Sequence, residues 1–217
     1  MNIDVLWTST DHSLWEEAHR NYKILIKSSN YNLEEELESK VCKIKIFEDI
    51  KILGLSDNWY DFLLYKYFRW KYTAANRYAS TTNIFKKAYE NDKSALDKII
   101  QSILIEPEKD DSELMGLKAK RICGLGYAGA SGLLALLYPK YYGTIDQFIV
   151  KNLQNVKVIP EKRILDKMNP MNLTSKDFLV LTTIYRNKSA ELNKIFNTTI
   201  WTPRRIDKVL WGIRKNI

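Results

Sequence analysis

The stretch CGLGYAGASGLLALLYPKYYGTIDQF, Cys123 to Phe148, constrains the fold more than any other part of the chain. Leu114, Leu117, Lys118 and Arg121 lead up a short helix to Gly124, and Ala128 to Tyr138 reads as a second, apolar helix. The segment GLGYAG must therefore turn tightly between two helices. Gly124 and Gly126 lack a Cβ, so each can take a positive φ or admit another backbone. Backbone N–H groups at the start of the helix after Gly126 are electropositive and suit a phosphate. A Gly-x-Gly before a helix also serves as a plain tight turn, so the pattern alone leaves both uses open.

The rest of the chain reads as helix. Leu14, Trp15, Ala18, Tyr22, Leu25 and Ile26 recur at helical spacing with charged residues between them. Leu33, Leu37, Val41 and Ile44 fit a helix, while CKIKIF alternates as a strand does. In Trp59–Glu90 aromatics interleave with Lys66, Arg69, Lys71 and Arg77, a mixture that suits stacking on bases and contact with phosphates. Leu63, Leu64, Tyr67, Phe68 and Trp70 nevertheless cover most of a helix circumference, which favours core packing. EPEKDDSE, Glu106 to Glu113, is charged, contains Pro107 and lacks apolar periodicity, so it reads as a linker. Thr174 and Asp177 form a capping-box pattern ahead of Phe178, Leu181, Tyr185 and Leu192. In WTPRRIDKVLWGI, Thr202 is placed as N-cap, Pro203 at the first helical position, and Trp201 against Ile206 as a staple. These signals predict an all-α fold: a single helical domain over 1–217, with subdomains at about 1–105 and 112–217.

Composition narrows the function classes. Lys and Arg outnumber Asp and Glu by 34 to 26, giving a net charge of +8 and favouring a polyanionic partner, nucleic acid first. Cys42 and Cys123 are far apart and neither belongs to a Cys-x-x-Cys pair, so neither a disulfide framework nor a zinc or iron–sulfur site is supported. The amino terminus lacks the order of a signal peptide, and no apolar run approaches the ~18 residues that span a bilayer. The expectation is a cytoplasmic monomer with no membrane association, no metal and no organic cofactor.

The hairpin and the residues that come after it, as far as Leu153, resemble the helix–hairpin–helix DNA glycosylase superfamily, which includes endonuclease III-like and 8-oxoguanine glycosylase-like proteins. There the hairpin has the form Leu/Ile-x-Gly-Val-Gly-x-x-x-Ala, followed by an apolar helix and then Val-Asp-x-x-Val. This chain has Ile122-Cys-Gly-Leu-Gly-Tyr-Ala-Gly-Ala130, then Ser131 to Tyr138, then Ile145-Asp146-Gln-Phe-Ile149. The match covers roughly Leu117 to Leu153, and KYTAANR and WTPRRID carry a less specific likeness to bacterial proteins of the 8-oxoguanine-glycosylase-like fold. The resemblance implies two helical subdomains with a cleft between them. It also implies a DNA-binding hairpin of Gly124, Leu125, Gly126, Tyr127, Ala128 and Gly129, and a catalytic role for Asp146. Lys151 is expected to add charge for the DNA. Two departures stand out: Ala128 occupies the position of the lysine that forms a Schiff base in strand-cleaving members, and Phe148 stands where the family often has a histidine. Lys118, Lys120 and Lys140 are nearby in sequence without matching that position.

The expected function is that of a monofunctional base-excision enzyme acting on a flipped, damaged base in duplex DNA. Asp146 then stabilises the positive charge that develops on the sugar as the N-glycosidic bond breaks. Asp146 also suits a plain structural use, as N-cap of a helix from Gln147 to Asn155 with Ile145 and Val150 as its staple. A non-catalytic helix–hairpin–helix DNA-binding module is the alternative. In a third reading the glycines serve close helix packing in a structural or partner-binding protein. The damaged base is not specified, because many of the six Trp and thirteen Tyr residues suit a base pocket.

Overall fold

The computed structural model describes residues 2–26, 32–39, 41, 59–104 and 112–213. Every regular element among them is helical. In chain order they are α1 (Ile3–Thr8), α2 (His12–Leu25), α3 (residues 32–39), α4 (a π-helical turn, Phe62–Tyr67, running into Phe68–Lys71), α5 (Ala75–Asn91), α6 (Lys93–Ile103), α7 (Ser112–Lys120), α8 (Tyr127–Leu137), α9 (Gln147–Gln154), α10 (Lys162–Leu165), α11 (Ser175–Ile195) and α12 (Pro203–Gly212). The alternating segment CKIKIF lies outside the described residues.

Two compact units arise: a split unit, Met1–Ser28 with Pro139–Ile217, and an inserted unit, Ser29–Tyr138. This partition differs from the 1–105 and 112–217 division suggested by the charged segment. The reason is packing that passes across that segment: α6 lies against α7, and α7 against α8. The phenol of Tyr138, at the end of the inserted unit, donates to the carbonyl of Ile103 at 2.8 Å.

In the inserted unit, Trp59, Phe62, Leu63, Leu64, Tyr67 and Phe68 are buried, so the aromatic segment is core. Its π-helical turn is closed by Phe68 N–H donating to the Leu63 carbonyl. Arg69 and Arg77 are exposed, and Lys66 pairs with Glu36 at 3.0 Å. The α8 side chains are buried nearly all round, as its apolar sequence demands. Tyr67 reaches it through a hydrogen bond from its phenol to the Gly129 carbonyl.

In the split unit, α2 buries Trp15, Ala18 and Tyr22, and α12 buries Ile206, Val209 and Leu210 against it. The Trp15 and Trp201 rings meet edge to face at 5.7 Å, a geometry worth about 0.5–1.5 kcal/mol beyond area burial. Thr202 caps α12 through the Arg205 N–H with Pro203 at its start, and Thr174 and Asp177 form the reciprocal capping box of α11. Lys188 on α11 is buried, yet its ammonium donates to the Trp7 carbonyl at 3.0 Å and pairs with Glu191 at 2.7 Å. Its charge is thereby satisfied.

Candidate nucleic-acid interface and acid site

The hairpin belongs to the inserted unit. As α7 ends, Arg121 N–H bonds the Lys118 carbonyl and Ile122 N–H that of Ala119. The turn then closes by Leu125 N–H to the Ile122 carbonyl at 3.0 Å. Gly124 has φ +88°, and a Cβ built there meets the Thr81 carbonyl oxygen at 2.9 Å. Both conformation and space therefore require glycine.

Gly126 plays a different part. Its φ of −87° is ordinary, it N-caps α8, and no side chain caps that helix. A Cβ there meets nothing within 4 Å. The N-terminus of α8, where backbone donors lack partners within the helix, thus opens onto space at a residue with no side chain. Leu125 and Tyr127 turn their side chains into the core, so their contribution to any ligand is limited to backbone. Ala128 is half-buried, Gly129 buried, and Lys120 and Arg121 exposed beside the turn. The Lys120 ammonium lies 4.4 Å above the Tyr127 ring.

Asp146 and Lys151 belong to the split unit, at the first and last turns of α9. Half-buried, Asp146 accepts from Phe148 N–H at 2.9 Å and Ile149 N–H at 3.0 Å, both through Oδ1. The helix cap read from the sequence is present. Ile145 and Val150 on either side of it are buried, and Lys151 is exposed.

The segment leading into Asp146 is held by two other helices. Thr144 N–H donates to Asp207 Oδ2, and the Tyr185 phenol donates to the Thr144 carbonyl at 2.8 Å. An Arg204 guanidinium nitrogen donates to Thr144 Oγ1 at 3.0 Å and to both Asp207 oxygens at 2.9 and 3.1 Å. Gly143 threads through the tightest part, where a Cβ would sit 2.7 Å from the Pro203 carbonyl oxygen and 2.8 Å from the Tyr185 ring. Burial lifts the Asp207 carboxyl to about 6, against the opposing pull of Arg204 and the Thr144 N–H. Burial, with the Asp207 and Asp146 carboxylates behind it, pushes the Tyr185 phenol well above its ordinary range and keeps it a neutral donor.

These flanking residues escaped the sequence reading. The available signal was the i, i+3 spacing of Arg204 and Asp207 inside WTPRRID, which places both on one helical face. Among the described residues, no group of three or more His, Cys, Asp or Glu side chains is arranged to hold a metal, and no helix is long and apolar enough to cross a membrane. Comparison with protein-family models, with curated proteins and with solved structures finds no match.

Proposed function

We propose that this chain binds DNA through the Gly124–Gly129 hairpin and acts as a monofunctional DNA glycosylase of the helix–hairpin–helix type. The observation that carries the reading is the open N-terminus of α8, presented by a turn that only glycine can make. A phosphate seated there is bound by backbone donors and the helix dipole, with Lys120 and Arg121 adding charge. Such contacts fix DNA without reading its sequence.

Asp146 supplies the chemistry. Both cap bonds fall on Oδ1, which leaves Oδ2 to face the sugar of an extruded nucleotide. As the C1′–N bond lengthens, its electron pair leaves with the base and positive charge grows on the sugar. A fixed carboxylate favours that state over the ground state, and water then adds to C1′, its proton ending on the base that departed with the electron pair. Ala128 has no amine, so the strand is left intact.

The deciding experiment is single-turnover excision on duplexes carrying one oxidised, alkylated, deaminated or mismatched base. Release of a free base, with no covalent complex trapped by borohydride, is the expected result. Trapping abolished by Lys118→Ala or Lys120→Ala overturns the monofunctional assignment. Tight, salt-sensitive DNA binding without release of any base makes the non-catalytic module the correct reading.

A further inference from the structure

We infer that Tyr185, Asp207 and Arg204 are positioning residues for Asp146, acting through Thr144; the inference rests on the reading of Asp146 as the acid of a base-excision site. Thr144 lies two residues before Asp146, and each of its three polar groups is engaged by a different side chain. Its N–H goes to Asp207, its carbonyl accepts from Tyr185, and its hydroxyl accepts from Arg204. Ile145, the residue between, is fully buried. On the far side, the first turn of α9 holds the carboxylate by Oδ1. Asp146 is therefore fixed from both directions along the chain.

A cap needs none of this. An N-cap aspartate is held by the N–H groups of its own helix, as Asp11 is on α2 and Asp92 on α6. Burying an Arg–Asp pair also costs desolvation that an apolar pair of similar volume avoids. Here Arg204 and Asp207 are both almost wholly buried, and their bonds converge on one residue of the strap before α9. Tyr185, fully buried on α11, directs its one donor to the same residue. Three buried polar side chains gathered on one threonine form an arrangement for geometry. Preorganised electrostatic sites lose rate when the charged group is allowed to wander, even if it stays nearby.

The test compares Tyr185→Phe and Thr144→Val, which delete the donor to the Thr144 carbonyl and the acceptor for Arg204. Two readouts are taken on the full chain. Amide hydrogen exchange at Phe148 and Ile149 reports the hold on Asp146, with Asp177 N–H in the α11 capping box as internal reference. Single-turnover excision and lesion-DNA affinity report the chemistry. Each variant is expected to speed exchange at Phe148 and Ile149 and to slow excision by about tenfold, the effect of roughly one hydrogen bond, while DNA affinity and Asp177 exchange hold. A merely structural role lowers stability without separating rate from affinity. Unchanged exchange at Phe148 and Ile149 in both variants overturns the inference, as does faster exchange with undiminished excision. If the wild type excises nothing yet both variants loosen Phe148 and Ile149, the positioning stands and the base-excision reading falls. Should Tyr185→Phe fail to fold, Thr144→Val carries the same comparison.

Discussion

Helices α8 and α9 each begin just after a turn, and they use that beginning in opposite ways. At α8 the cap position is Gly126, no side chain closes the helix, and the space beside it is empty. At α9 the cap is Asp146, whose carboxylate takes two of the first N–H groups for itself. The difference teaches what each end is able to offer. An unclosed helix start exposes positive partial charge to an outside anion, whereas a closed one presents a single negative group held at a fixed point. The two turns differ in the same sense: the hairpin owes its shape to local glycine geometry, the strap before Asp146 to three buried side chains distant in sequence.

The largest expected effect comes from removing the charge at α9. Asparagine is nearly isosteric and remains a good cap, so Asp146→Asn is expected to leave the fold intact and slow single-turnover excision by about 10²–10³. DNA affinity stays equal or rises, because a carboxylate near phosphates is repulsive. Asp146→Ala removes cap and charge together and costs a further ~0.5–2 kcal/mol of stability. Equal excision rates for wild type and Asp146→Asn would reduce Asp146 to a cap.

The next effect separates the strap from the rest of its own unit by pH. Asp207 is raised to about 6 by burial, so the stability it contributes is present below its unfolded value near 4 and is lost as pH rises through about 6. His19 on α2 is lowered to about 4, by burial first and by Arg205 and Lys208 next. Its contribution runs the other way: present above about 6.5 and lost as pH falls through about 4. Unfolding measured from pH 7 to 4 tests both. The stability of wild type relative to Asp207→Asn grows on acidification by about 2–3 kcal/mol. Relative to His19→Gln it shrinks, by roughly 1 kcal/mol or less, since His19 is partly solvated. Parallel curves in all three proteins would remove both groups from the pH response.

The smallest effect turns α8 into a copy of α9. Gly126→Asp fits the empty space and supplies the missing cap, so stability is expected to hold or rise by a few tenths of a kcal/mol. The same carboxylate competes with phosphate. Duplex affinity falls about tenfold, and the slope of log affinity against log salt becomes shallower by about 0.9 for each phosphate lost. Unchanged affinity and slope would remove the hairpin from the DNA interface.

Much of the local structure was legible in the sequence because its causes are local. The Thr174–Asp177 box, the Thr202–Pro203 start, the Asp146 cap and the positive φ of Gly124 each follow from a few adjacent residues. The core role of Leu63, Leu64, Tyr67 and Phe68 followed from their spread round a helix. What stayed hidden depends on distance along the chain. The bonds to Thr144 span 41 to 63 residues, and the Arg205–Glu16 pair that links α12 to α2 spans 189. Neither periodicity nor capping carries information over such separations. The charged linker misled for the same reason: composition marks where a chain is polar, not which helices on either side of it pack together.

The split unit also imposes an order on synthesis. Its amino-terminal helices are translated first, yet Trp15 finds Trp201, and Glu16 finds Arg205, only after the whole inserted unit has been made. Residues 29–138 form a compact unit of their own, and compact units generally fold as they emerge during synthesis. Until α12 leaves the ribosome, α2 carries the apolar face of Trp15, Ala18 and Tyr22 without its partner. The glycine turn is thus translated well before the residues that hold the strap, and a pause in translation ahead of α12 leaves Asp146 with the cap bonds of its own helix but Thr144 without Asp207 and Arg204.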